Sequence, residues 1–173
     1  MGGMPITATR LAPIASDPAD VRAMMGQAPS GVAALGAEVD GERIGMIASS
    51  FTTGVSYDPP LVLFSAQSSS RTWPRLRRAG RIGVSLLADD QSFACTQLSS
   101  RSGDRFAGLD SEVTDDGAIL LAGSPLQFEC SIVSVTPAGD HEIVLLEVRA
   151  AAAIDERSPI VYHRRRLHGI AAL

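Results

Sequence analysis

From Gly31 onward the apolar and polar positions of this chain follow the pattern of β-strands. Gly31–Val39 and Arg43–Ala48 flank Asp40-Gly41, and because glycine tolerates the positive φ of a tight turn, the pair predicts a hairpin. Pro59-Pro60 introduces Leu61-Val62-Leu63-Phe64, an apolar run long enough for a buried strand. Ile82–Leu87 predicts another strand. Leu126–Val135 and His141–Ala151 predict a second hairpin around Pro137–Asp140, and Ile160–Tyr162 a last strand. Helical signals are shorter. Asp17-Pro18 reads as an N-cap followed by Pro at the first helical position, and Asp20 suits the positive end of the helix dipole. Val21, Met24, Met25 and Ala28 fall at i, i+3, i+4 and i+7, which predicts a lid helix over one end of a sheet, stopped by Pro29. Thr72–Arg78 predicts a short helix ended by Gly80, and Asp90 is placed to cap another that runs through Phe93 and Ala94 toward Leu98. Residues 99–124, rich in Ser, Gly and Asp, predict a long loop with little regular structure.

Roughly six or seven strands, a few short helices and turn signals about every 8–12 residues predict a mainly β fold, a closed or partly closed barrel. A doubly wound sheet is not expected, and no GxGxxG follows a strand, so any nucleotide must be held by another route. Residues 1–15 read as a flexible tail and 16–173 as one domain.

Composition narrows the function. With 173 residues, 45% of them apolar, the chain suits one domain that buries roughly two-thirds of its unfolded surface. A net charge of −4 leaves no electrostatic footprint for generic nucleic-acid or anionic-membrane binding. No apolar run approaches the roughly 20 residues of a membrane span and no signal-peptide core is present, so a cytoplasmic protein is expected. All 15 basic residues are Arg, which excludes Schiff-base chemistry and a P-loop lysine. Asn is absent, which excludes N-glycosylation. Cys95 and Cys130 form no CxxC pattern and read as buried thiols; His141, His163 and His168 have no metal-ligand spacing.

Several segments carry candidate chemistry. Met46-Ile47-Ala48-Ser49-Ser50-Phe51-Thr52 leaves a strand for a hydroxyl-rich loop, where small residues let a flat ring approach the backbone; the same run also serves as an ordinary strand exit. Ser68-Ser69-Ser70-Arg71-Thr72 precedes a helix, and hydroxyls, free N–H groups and a guanidinium there suit either a phosphate or simple N-capping. Asp104-Arg105-Phe106 offers an Arg beside an aromatic, as an anion clamp with a ring cover or as a salt bridge with a core anchor. Gly139-Asp140-His141 sets a His at a strand start, facing a cofactor or water. The run Tyr162-His163-Arg164-Arg165-Arg166 reads as a solvated edge or as a reach toward a phosphate.

Taken in order, Ala48-Ser49-Ser50-Phe51, Asp58-Pro59-Pro60, the Ser-rich run to Thr72, Asp104-Arg105-Phe106, Gly139-Asp140-His141 and Tyr162-His163-Arg164 resemble the flavin reductase family over about residues 20–170. The resemblance implies an FMN-binding split β-barrel of Greek-key type. It also implies a homodimer with flavin near the subunit interface, and NAD(P)H:flavin oxidoreductase activity that supplies reduced flavin to a partner monooxygenase. The flavin is FMN, with FAD possible, and the co-substrate is NADH or NADPH. Carried over by position, Met46, Ile47, Ala48, Ser49 and Ser50 line the isoalloxazine, and Ser68, Ser70, Arg71 and Thr72 hold the ribityl and phosphate end. Arg105 and Phe106 close the site. His141 stands where nicotinamide stacks and positions or polarises it, with Tyr162 and Arg164 close by. The chain departs from the family pattern at Ile82 (usually Phe), Ser85 (usually Asn), Glu142-Ile143-Val144-Leu145-Leu146 (commonly Thr-Ile-Phe-Val-Gly), Arg165 and Leu167. One barrel hosts several functions, so a flavin- or haem-holding protein and a pyridoxamine-phosphate-oxidase-like enzyme are the rival readings.

Overall fold

A computed structural model describes residues 11–171; most of the expected N-terminal tail, residues 1–10, lies outside them. The helices are α1 (Pro18–Met25), α2 (Trp73–Leu76) and α3 (Ser92–Leu98). The strands are β1 (Ser30–Gly31), β2 (Ala33–Val39), β3 (Glu42–Ala48), β4 (Thr52–Tyr57), β5 (Pro60–Gln67) and β6 (Ile82–Leu86), followed by β7 (Ser111–Val113), β8 (Ile119–Leu121), β9 (Leu126–Ala138), β10 (His141–Ala153), β11 (Val161–His163) and β12 (Arg166–His168). Seven strands form one antiparallel sheet in the order β3-β2-β6-β9-β10-β5-β4. That sheet curls until the exit of β3 meets β5, where the Ser50 hydroxyl accepts from Ser65 N at 2.9 Å and donates to Ser65 O at 3.2 Å. A side chain there stands in for a ladder. The result is a mainly β split barrel.

Alternation decides what fills it. Ala33, Leu35, Ile44, Ala48, Val62, Phe64, Val144 and Leu146 point inward and form the barrel core, with Trp73 and Leu76 of α2 plugging one mouth. The opposite faces of β2 and β3 are also covered. Val32, Ala34 and Ile47 meet Leu98, Phe106, Ile119 and Leu121 in a second apolar cluster outside the barrel. The Asp40-Gly41 turn is as expected, with φ of 53° and 78° at the two positions.

Several expectations are corrected. Asp17 caps α1, accepting from Ala19 N at 2.7 Å, but the helix covers no sheet: it buries no residue, and Met24 and Met25 are 49% and 60% exposed. It stops at Met25, ahead of Pro29, because its end is tied elsewhere, with Arg164 N donating to Gly26 O and Arg164 Nε to Gln27 Oε1. Asp90 does not cap α3. It pairs with Arg157, while Gln91 Oε1 accepts from Ala88 N at the start of a 3₁₀ turn. Residues 99–124 are not a plain loop, because β7 and β8 form a hairpin closed through Gly117 at φ 84° and packed by Ile119 and Leu121. The expected strand exit after Ser50 continues as β4, and the last expected strand has a partner in β12.

Cys130 is fully buried in the barrel core, and burial, reinforced by Glu129, pushes its thiol up to about 12. The thiolate is the reactive species, so a thiol reagent at neutral pH is expected to leave Cys130 unmodified in the native protein and to label it after denaturation. Rapid native labelling located at Cys130 by mass spectrometry would contradict this packing.

Candidate active site

The split of the barrel opens as a cleft of about 1040 Å³, at the upper end of the roughly 300–1,000 Å³ typical of small-molecule sites. One lip is β3 with the segment 98–105, and the other is the outer face of β5 and β10, with Ser65, Gln67 and His141. The turn Ser69–Thr72 and Arg75 of α2 close one end. Inward and outward positions alternate along a strand, so the apolar run that buries Val62, Phe64 and Ala66 turns Ser65 and Gln67 toward the cleft.

Most of the expected site residues meet here. Met46, Ile47, Ala48, Ser49, Ser50, Ser70, Arg71, Thr72, Arg105 and His141 all line the cleft. Their contacts refine what each can do. Ser70 Oγ accepts from Trp73 N at 3.1 Å and Thr72 N at 3.3 Å, so the amides at the start of α2 are already satisfied. The helix start therefore offers no free amide to an anion, and the turn before it, with the Arg71 guanidinium, is left to hold one. Arg105 is a three-way tie: Nε donates to Ser100 O at 2.8 Å, and Nη1 to Gly45 O at 2.8 Å and Thr72 Oγ1 at 2.7 Å. Asp104 Oδ1 shapes the same turn by accepting from Phe106 N at 2.9 Å.

Four expected residues stand elsewhere. Phe106 is 4% exposed and lies behind β3, under the Arg43 guanidinium and against Gly45, where an added Cβ would meet its ring at 2.6 Å. It props the strand and does not cover the cleft. Ser68 does not line the cleft, and its N–H is bonded to Asp140 O. Tyr162 pairs with Ser30 in the small β1-β11-β12 sheet and packs on the outer cluster, and Arg164 sits in the β11–β12 turn at φ 49°. Neither lines the cleft.

Sequence reasoning missed Ser65, Gln67, Arg43, Arg75 and Arg101. The polar positions alternating after the Leu61–Phe64 run were the readable signal for the first two. The arginines decide the electrostatics: Arg43, Arg71, Arg75, Arg101 and Arg105 line the cleft against one carboxylate, Asp104. Arg75 is paired with Glu42 and Arg43 donates to Ser111 Oγ, whereas Arg71 and Arg101 have no hydrogen-bond or ion-pair partner among the described residues. His141 Nδ1 lies 2.7 Å from Asp140 Oδ1, and that hydrogen bond holds the Asp140 carboxyl below the usual carboxylate range. The ring is thus oriented through Nδ1. A flat ring with an anionic tail fits this donor set: small residues and backbone at the Ala48–Ser50 end, hydroxyls and unpaired guanidinium at the other.

Residues 25–171 match the flavin reductase like domain. The chain belongs to the flavin reductase family. It is 39% identical over 160 residues to a flavin reductase of Pseudomonas putida, a match that covers 92% of this chain and 94% of that one. It is 35% identical over 156 residues to the reductase subunit HsaB of a flavin-dependent monooxygenase from Rhodococcus jostii, covering 90% and 80%. Among solved structures it is similar to the NADH:FAD oxidoreductase SgcE6 of Streptomyces globisporus in complex with NAD and FAD fragments. That match has a TM-score of 0.86 and 32% identity over 95% of this chain and 98% of that one.

Proposed function

We propose that this chain is an NAD(P)H-dependent flavin reductase that passes reduced flavin to a partner monooxygenase. The observation that carries the proposal is the cleft itself, which sets a small-residue strand exit, a guanidinium- and hydroxyl-rich end and a tethered His on facing lips. The family's named relatives, a flavin reductase and a monooxygenase reductase subunit, support it. When bound, the flavin, FMN or FAD, supplies the redox chemistry by taking hydride at N5 from nicotinamide C4 of NADH or NADPH.

The chain's own task is to bind and orient. Met46, Ile47, Ala48, Ser49 and Ser50 form the wall for the ring, with backbone N–H groups and the Ser49 hydroxyl for its polar edge, while the Ser50 hydroxyl holds the wall to β5. Arg71 grips the phosphate, Thr72 and Ser70 complete that end, and Arg105 fixes Thr72 in place. Donors at the ring edge stabilise the negative charge that builds up on reduction. By holding the flavin ring against the nicotinamide, these walls would supply proximity and orientation, the main contribution the chain can make to the rate. His141, steadied by Asp140, positions the nicotinamide on the open side. Val133 and Ile143 are exposed on the neighbouring strands β9 and β10, which supports a second copy covering that face in a homodimer.

The test is nicotinamide oxidation by the purified protein with FMN, with FAD and with no added flavin. Turnover that depends on added flavin is expected. Flavin binding with no oxidation of either nucleotide would overturn the proposal in favour of a flavin-holding barrel. His141→Ala is expected to lower kcat about ten-fold with flavin affinity unchanged. A loss of about 10²–10⁴-fold, the scale of general acid–base catalysis, with rescue by imidazole would instead make the ring an obligatory proton carrier.

A further inference from the structure

Helix α2 plugs one mouth of the barrel, and its attachment to the rim links the turn that closes one end of the cleft to the strand that carries His141. The inward-facing positions of β10 run Glu142, Val144, Leu146; the last two are fully buried, and Glu142 stands one step nearer the rim. Its carboxylate meets the plug. Trp73 Nε1 donates to Glu142 Oε2 at 2.7 Å, and Arg77 Nη1 stands 3.7 Å from Oε1, with the Arg77 guanidinium 5.9 Å over the indole. The indole is 2% exposed and packs edge-on against Phe64 at 5.4 Å. Immediately before Trp73 come Ser70, Arg71 and Thr72, and the Ser70 hydroxyl accepts from Trp73 N. Immediately before Glu142 comes His141, which points to the opposite face and lines the cleft.

We propose that Glu142 is a positioning residue for the reductase reaction: by holding Trp73, it sets the anion-binding turn of the cleft in register with His141. The proposal rests on the reading of the cleft as a flavin site. Loss of the carboxylate leaves a buried indole N–H without an acceptor, which is costly, whereas loss of both donor and acceptor is milder. The plug then moves toward water for its hydrogen bond and carries Arg71 and Thr72 with it.

Trp73 is the sole tryptophan of the chain, so its emission reports on this contact directly. Glu142→Leu, Glu142→Gln and Trp73→Phe are compared with the unaltered protein in flavin Kd, kcat, the KM of each substrate and thermal stability, and the two Glu142 variants also in Trp73 emission. Glu142→Leu is expected to shift the emission to longer wavelength and to raise flavin Kd and KM about ten-fold, the scale of one charge-assisted hydrogen bond. The flavin Kd and KM change more than kcat and the nicotinamide KM on this account, since the anion end is displaced and the His141 lip is not. Glu142→Gln, which keeps an acceptor for the indole, is expected to restore most of the affinity. Trp73→Phe keeps an aromatic ring in the plug and removes the donor, leaving the part-exposed Glu142 carboxylate to water and Arg77. It thus releases the plug from β10 and raises flavin Kd without a buried orphan, and it decides the matter if Glu142→Leu does not fold. Flavin Kd unchanged in Trp73→Phe, or in Glu142→Leu with lowered stability, would reduce Glu142 to a packing role and overturn the proposal. Flavin Kd is read without turnover, so an unaltered protein that binds flavin but oxidises no nicotinamide sinks the reductase reading alone.

Discussion

Gly83→Ala is expected to cost the protein about 3 kcal/mol or more of stability, a large share of the 5–15 kcal/mol that holds a typical domain together. Gly83 lies inside the sheet, on β6 between Gly36 of β2 and Glu129 of β9. A Cβ at this position would stand 2.1 Å from Ile119 O, 2.6 Å from Ile119 C and 2.9 Å from Ile119 N. The obstacle is backbone, and it has nowhere to go. Ile119 and Leu121 anchor the β7–β8 hairpin in the outer apolar cluster, and Leu121 N donates to the buried Ser85 hydroxyl at 2.9 Å. Relief of the clash lifts the hairpin off the barrel, exposing those side chains and orphaning that bond. Alanine gains only about 0.5–1 kcal/mol over glycine from backbone entropy, so the clash decides the sign. Urea unfolding measures it, with Gly80→Ala as the matched control, because nothing lies within 4 Å of a Cβ there. A Gly83→Ala midpoint equal to that of the control would show that the hairpin does not lie on β6 as described.

The same close approach explains what was legible in the sequence. The β2–β3 hairpin was, because Asp40-Gly41 declares its own backbone demand. So was β5, because alternate burial of Val62, Phe64 and Ala66 is written in local composition. The β7–β8 hairpin was not: its two short strands are held by room left at Gly36 and Gly83, far away in sequence, and nothing local records that room. β4 was hidden for the opposite reason, since its residues are largely exposed and polar and no apolar alternation marks them. The stripe read at Val21, Met24, Met25 and Ala28 misled: the helix ends at Met25, short of Ala28, and buries none of its residues, because its end is held by Arg164 in the β11–β12 turn, a contact that no local pattern records. At the cleft, residues adjacent along the chain proved readable, and Ser49, Ser50, Ser70, Arg71, Thr72, Arg105 and His141 all reached it. Arg43, Arg75 and Arg101 were invisible because barrel closure, not local pattern, brings their elements to one opening. Phe106 was placed on the wrong side of β3: its neighbour Arg105 turns into the cleft while the ring turns behind the strand.

That division of labour between Arg105 and Phe106 sets up the largest expected effect on function. Arg105→Ala is expected to weaken flavin binding about 100-fold, equivalent to about 2.7 kcal/mol, and to lower stability as well. The guanidinium joins three separate segments at the cleft: the turn at Ser100, strand β3 at Gly45, and Thr72 before α2. Hydrogen bonds to a charged group contribute roughly 1.5–3 kcal/mol each, and their loss leaves the Gly45 and Ser100 carbonyls without this donor. Thr72 is then free to rotate, and the cleft loses both a cation and a fixed hydroxyl. Arg105→Lys keeps the charge but lacks the planar fork that reaches two partners through Nη1 and a third through Nε, so most of the loss persists. Arg71→Ala provides the contrast. Its guanidinium has no hydrogen-bond partner among the described residues, so its removal is expected to weaken flavin binding about ten-fold, on the scale of one exposed charge-assisted contact, and to leave the melting temperature unchanged. Flavin Kd and thermal melting, measured on the three variants, separate the roles. If Arg105→Ala lost its flavin affinity at an unaltered melting temperature, the guanidinium would act on the ligand itself and not as the tie between the walls of the cleft.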